Sequence, residues 1–111
     1  MTTIFGKIIR GELPADKVFE NERLLAIKDL HPVAPVHILI MPKKEISQIQ
    51  SLTPEDFPLI AEIIEVAQQL AVRFGVQDGY RLLTNNGTTA GQTIFHLHFH
   101  LIGGRPLGPM A

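Results

Sequence analysis

The stretch Thr93 to Gly104, TIFHLHFHLIGG, alternates imidazole with large apolar side chains. A period of two has one regular solution, a β-strand, whose successive side chains leave on opposite faces. His96, His98 and His100 are therefore expected on one face and Leu97, Phe99 and Leu101 on the other. The apolar face demands a covering layer, so the strand is expected in a sheet packed under a helix. The histidine face is harder to account for. Three neighbouring imidazoles need several hydrogen-bond partners, and a purely structural strand would carry Val, Ile or Thr there.

The rest of the chain supplies the layers. Ile4, Phe5, Ile8 and Ile9 have helical spacing, and Gly11 followed by Pro14 ends a short helix over 4–10. KVFEN (17–21) and LLAIKDL (24–30) are short β-type runs separated by Glu22 and Arg23, a hairpin pattern. HPVAP is a turn enforced by two prolines, and VHILIMP (36–42) is nearly all apolar, as a strand covered on both faces should be. Thr53 is a helix cap with Asp56 three residues on, and Gly75 is a stop. Between them Ile60, Ile63, Ile64, Ala67, Leu70, Ala71 and Phe74 form one broad stripe, although Pro58 blurs the first turn. YRLLTNN (80–86) is strand-like and leads through GTTAGQ into the histidine strand. Hairpin strands with two segregated helices predict an α+β fold with an antiparallel sheet, in one domain of 111 residues.

Composition excludes several partners. Ten Lys and Arg against 11 Asp and Glu leave no overall positive field for nucleic acid or an anionic membrane, so any anion must be held locally. There is no cysteine, hence no disulfide framework and no thiolate metal site. No apolar run approaches the roughly 20 residues of a membrane span, and the N-terminus lacks a signal-peptide core. A soluble, cytoplasmic protein is expected.

Two chemistries suit the histidine row. Neutral histidine is a common metal ligand. Yet residues four apart on a strand are separated by about 13 Å at about 3.3 Å per residue, too far for His96 and His100 to share one ion without a sharp bend, and His37 or Asp29 would have to supply a third ligand. The spacing suits a division of labour better, with one imidazole reacting and its neighbours orienting it or handling protons. NNGTTAGQT (85–93) places polar side chains among two glycines, which lets backbone N–H groups turn toward an anion. A phosphate donor loop joined to a nucleophilic strand implies attack of an imidazole on phosphorus.

The motif GQTIFHLHFHLIGGR resembles the signature of the histidine triad family. IFGKIIRGELPA, IKDLHPVAPVHILIMPKK and the NxGxxxGQ loop are similar to its HINT branch, and the likeness spans essentially the whole chain. The resemblance implies a homodimer whose two five-stranded sheets join into one. It also implies a purine nucleoside phosphoramidate hydrolase that needs no metal or other cofactor, cleaving a P–N bond to release AMP and an amine.

By position, the resemblance makes His98 the nucleophile and has His100 contact phosphate and leaving group. It puts His96 in a hydrogen-bond relay with His37, and gives Asp29 the ribose hydroxyls. Phe5, Ile8, Ile27 and Leu30 match the apolar walls around the base, while Asn85, Gly91, Gln92 and Thr93 match the phosphate and leaving-group contacts. His31 has no counterpart role and is read as a surface residue. Thr93 stands where serine is common, and the tail RPLGPMA lacks the tryptophan of many eukaryotic members. Two other classes fit the same residues: a dinucleoside polyphosphate hydrolase or nucleotidyl transferase of the same superfamily, and a non-catalytic nucleotide- or zinc-binding protein.

Overall fold

In the computed structural model, which describes residues 3–111, each predicted strand and helix appears, with shifted ends. The elements in chain order are α1 (Ile4–Ile9), β1 (Lys17–Glu20), β2 (Leu24–Lys28), β3 (Val36–Pro42), α2 (Phe57–Arg73), β4 (Tyr80–Leu83) and β5 (Phe99–Gly103). The strands make one five-stranded sheet in the order β1-β2-β3-β5-β4, and every neighbouring pair is antiparallel. Among the described residues, no helix is long and apolar enough to cross a membrane.

Local chemistry sets the element ends. The Thr3 hydroxyl accepts from the Gly6 amide at 3.0 Å and caps α1, and Gly11 takes φ +80° just beyond it. Thr53 and Asp56 form the expected capping box on a 3₁₀ turn, Pro54–Asp56, that feeds directly into α2. Pro58 thus falls in the first turn of α2, where its missing N–H costs nothing. Gly75, at φ +73°, follows the helix end.

The two faces of the sheet are covered unequally. The longer helix, α2, lays Ile63, Val66, Ala67 and Leu70 on a core with Leu24, Ala26, Ile38, Ile40, Leu97, Phe99 and Leu101. Ile64 departs from the expected stripe and is exposed; Val66 takes the buried place, because the sheet contacts a narrower arc of the helix than the apolar sequence spans. On the opposite face six-residue α1 buries Phe5, Gly6 and Ile8, and packs the side chains of Phe5 and Ile8 against Leu25, Ile27, Leu39 and Met41. One helix turn and a half cannot roof five strands.

Candidate active site

Strand register brings the histidines to the poorly roofed face. Ile27 pairs with Leu39 and Leu39 with His100, so one cross-strand row runs from apolar wall to imidazole. A cavity of about 290 Å³ opens there, walled by Phe5, Ile8, Ile27 and Leu39, with Asp29, Thr93, His98 and His100 on its surface. Asp29 lies just past β2, and its amide donates to the His37 carbonyl at 3.0 Å, closing the base of the 29–36 loop. Phe5 meets the His98 ring edge-on with centroids 4.9 Å apart, and the His98 and His100 rings lie 5.1 Å apart.

The expected long histidine strand is shorter than the alternation suggests: β5 begins only at Phe99. Opposite residues 96–98 the neighbouring strand is ending at Pro42, and side chains replace the ladder. The His96 ring takes the Pro42 carbonyl at 2.7 Å, the Thr84 hydroxyl donates to the His98 carbonyl at 2.7 Å, and the Leu97 amide reaches the Ile46 carbonyl at 2.7 Å. Leu97, Phe99 and Leu101 still share the helix face. His96 leaves the row: it is 1% exposed and lines no part of the cavity.

Backbone partners fix the tautomer of each ring, because a carbonyl can only accept and an amide N–H can only donate. His98 Nδ1 lies 2.7 Å from the His96 carbonyl, so it carries the proton and Nε2 keeps its lone pair. The Val33 amide donates to His37 Nδ1 at 3.2 Å, which puts the His37 proton on Nε2. That N–H lies 2.9 Å from His100 Nδ1 and 3.3 Å from Asp29 Oδ2. His100 therefore accepts at Nδ1 and carries its own proton on Nε2. The pair beside the cavity is one bare nitrogen on His98 and one N–H on His100. His96 donates from Nε2 to Pro42, leaving a buried Nδ1 without a partner among the described residues.

Electrostatics keep these rings neutral. Burial pushes the pKa of His37, His96 and His98 down, opposed at His37 by the Asp29 carboxylate and at His98 chiefly by its bond to the His96 carbonyl. His100 falls to about 4, first through burial and then through repulsion from His98 and His37.

The comparisons with known proteins agree with this arrangement. A model of the HIT domain matches residues 10–107. The chain belongs to the HIT family. A HIT-like protein of Chlamydia pneumoniae is 52% identical over 109 residues, spanning 98% of this chain and 99% of that one. A HIT family hydrolase from Legionella pneumophila superposes with a TM-score of 0.92 at 43% identity, over 95% of each chain. A histidine triad protein from Clostridium difficile superposes with a TM-score of 0.94 at 38% identity, over 100% of this chain and 97% of that one.

Within this HIT domain several expected residues stand elsewhere than the sequence implied. His37 pairs with His100, and its expected relay with His96 is absent. His37 stands opposite Ile102, six residues from position 96 and on the order of 20 Å away along a strand. Gln92 is 3% exposed and spends its side chain on the fold: Oε1 accepts from the Gly87 amide, and Nε2 donates to the carbonyls of Ser47 and Ile94. The Gly-containing loop likewise turns its amides inward. Those of Ala90, Gly91 and Gln92 bond to carbonyls within the turn, and Gly87 and Gly91 are needed for φ of +86° and +103°. Asn85, Gly91 and Gln92 do not line the cavity, whereas Thr93 does. Leu30 lines the cavity but is 87% exposed, and His31, expected only at the surface, is exposed and lines the cavity as well. The features that sequence reading missed are mostly main-chain atoms, the Val33 amide and the Pro42 and His96 carbonyls, which leave no mark on residue type.

Asp29, His37 and His100 also bring a carboxylate oxygen and two ring nitrogens within 4.8 Å of one another, a donor set that suits zinc by type. The tautomers oppose it. With the Val33 N–H on Nδ1, the His37 Nε2 that faces the cluster already bears a proton, and coordination there would require an imidazolate or loss of the amide bond. The cluster as folded is a hydrogen-bonded chain.

Proposed function

We propose that this HIT-family chain is a purine nucleoside phosphoramidate hydrolase acting through a nucleotidyl-His98 intermediate. The observation that carries the reading is the fixed pair beside the cavity: an unprotonated Nε2 on His98 next to an N–H on His100. His98 Nε2 attacks phosphorus, and the P–N bond breaks with its electron pair going to the amine nitrogen, which takes up a proton from solvent. Water then attacks phosphorus, the bond to His98 breaks with its pair returning to Nε2, a proton leaves to solvent, and AMP departs. His100 Nε2–H donates to the phosphoryl oxygens as their charge grows. Phe5, Ile8, Ile27 and Leu39 supply an apolar slot for the base, and Asp29 an acceptor for ribose hydroxyls. The hydrolase named among the structural neighbours supports the reaction class. A homodimer in which two five-stranded sheets join edge to edge completes the proposal; the sheet offers two edge strands for it, β1 and β4.

The test is release of AMP from adenosine 5′-phosphoramidate by wild type and His98→Asn after chelation of metals. Wild type is expected to retain activity, and His98→Asn to lose about 10⁶-fold in kcat, as removal of a covalent nucleophile does. Equal rates in the two proteins remove His98 as nucleophile, and loss of wild-type activity on chelation favours a metal mechanism. A dinucleoside polyphosphate run alongside is expected to turn over much more slowly.

A further inference from the structure

We propose that Arg105, which lines no part of the cavity, is a positioning residue that holds His37 in its neutral Nε2–H form and so fixes the donor His100 presents to a ligand. The inference rests on the reading of His98 and His100 given above only for its kinetic consequence.

The chain of contacts begins outside the site. Arg105 Nη2 donates to the Val33 carbonyl at 2.8 Å and Nη1 to the Pro106 carbonyl at 2.8 Å, so the guanidinium staples the segment after β5 to the proline loop. Gly104 takes φ +98° beside it and lies so close to Pro35 that a Cβ would stand 3.0 Å from the proline Cβ. From Val33 the chain continues through its amide to His37 Nδ1, and from His37 Nε2 to His100 Nδ1.

Three features make Val33 depend on Arg105. Pro32 and Pro35 have no N–H, so the loop loses two main-chain donors beside Val33, and its own bonds, Asp29 N–H to the His37 carbonyl and His31 N–H to Asp29 Oδ1, lie at its base. The Val33 side chain is 57% exposed and anchors little by packing. Its amide reaches His37 at 3.2 Å, the long end of a hydrogen bond, so a drift of a few tenths of an ångström breaks it. The Val33 N–H also opposes protonation of His37, because an imidazolium would set a second N–H against it. Asp29, 3.3 Å away, pulls the other way by favouring the cation, and His100 is the other titratable group in contact among the described residues. With the Val33 amide withdrawn, Nδ1 is free to carry a proton: burial still opposes the cation and Asp29 still favours it, so His37 shifts its tautomer or protonates at a higher pH than in wild type, and the electrostatics at His100 change with it.

Imidazole ¹⁵N spectra across about pH 5 to 8, which separate Nδ1–H, Nε2–H and doubly protonated rings, read this without substrate. Wild type is expected to show His37 as Nε2–H at neutral pH and to gain its second proton only toward the acid end of that range. In Arg105→Ala the His37 signals should leave that pattern and titrate at higher pH, while kcat on adenosine 5′-phosphoramidate falls about tenfold and KM changes less than about twofold. Arg105→Lys keeps one donor for the Val33 carbonyl and should restore most of the wild-type spectrum. Arg81→Ala is the control, since Arg81 holds the same tail at the Gly108 carbonyl without reaching the loop, and it should match wild type. A wild-type His37 spectrum in Arg105→Ala overturns the inference, as does an equal change in Arg81→Ala. If wild type hydrolyses no phosphoramidate, the functional reading fails while the spectra still decide this one.

Discussion

The two faces of the sheet are made from the same strands and differ in what covers them. Under α2 the row Ile38, Leu101 and their neighbours is sealed by 17 helical residues, and Leu24, Ile40, Ile63 and Leu101 reach zero to one per cent exposure. Under α1 six residues leave a cavity, and the polar groups of the chain's chemistry line it. A packed face gains stability from each methylene; an unpacked face keeps room for a ligand. The length of the covering helix, more than the strand sequences, separates the two.

Matched truncations should expose that difference. Leu101→Ala opens a void in the sealed face and is expected to cost roughly 3 to 5 kcal/mol in denaturant unfolding. Leu39→Ala, one strand away and facing the cavity, only enlarges a space already present, so about 2 kcal/mol is expected, with a several-fold rise in KM. Equal stability losses with unchanged KM would mean that the two faces are packed alike.

Most of the sealed face could be read from the sequence because packing there obeys one rule. The 3.6-residue stripe located α2, the capping box at Thr53 and Asp56 marked the 3₁₀ turn that leads into it, and alternation sent Leu97, Phe99 and Leu101 to the helix. Ile64 was misplaced because apolar character reports what a helix can bury and not how wide its contact is. The cavity face was less legible. Alternation fixed the face of His98 and His100 but not ring direction, and ring direction depends on the Val33 amide and the His96 carbonyl. Strand period also suggested a ladder through His96 and His98, where the side chains had taken over the carbonyl bonding. Gln92 shows the same ambiguity: a polar residue beside a site serves either ligand or loop, and only its three main-chain partners decide.

Gln92→Ala tests that assignment with an intermediate effect. Removing the buried amide leaves the Gly87 N–H and two carbonyls without their partner in half-buried positions, so roughly 1 to 2 kcal/mol of stability should be lost. If Gln92 serves the fold, kcat/KM measured well below the melting temperature should fall by less than about tenfold, through displaced Thr93 and Ile94 in the cavity wall. A loss near that of His98→Asn with unchanged stability would return Gln92 to the chemistry.

The smallest expected effect is a pH dependence confined to the cavity face. His100 titrates near 4 in the folded chain against about 6.5 when unfolded, so between those values the unfolded state binds more protons. Stability from this group is complete above about pH 6.5 and declines as pH falls toward about 4, below which both states are protonated and the slope vanishes. His37, His96 and His98 are displaced in the same direction and add to the slope within the same acid range. His100→Asn keeps an acceptor for the His37 N–H, removes one titrating ring, and relieves His37 and His98 of its charge. The melting temperature of this variant should therefore fall less steeply than that of wild type between pH 6.5 and 4, with the two curves parallel above pH 7. An unchanged acid slope would show that His100 meets its proton equally well folded and unfolded, and that the shallow roof of α1 leaves the ring as wet as the open chain.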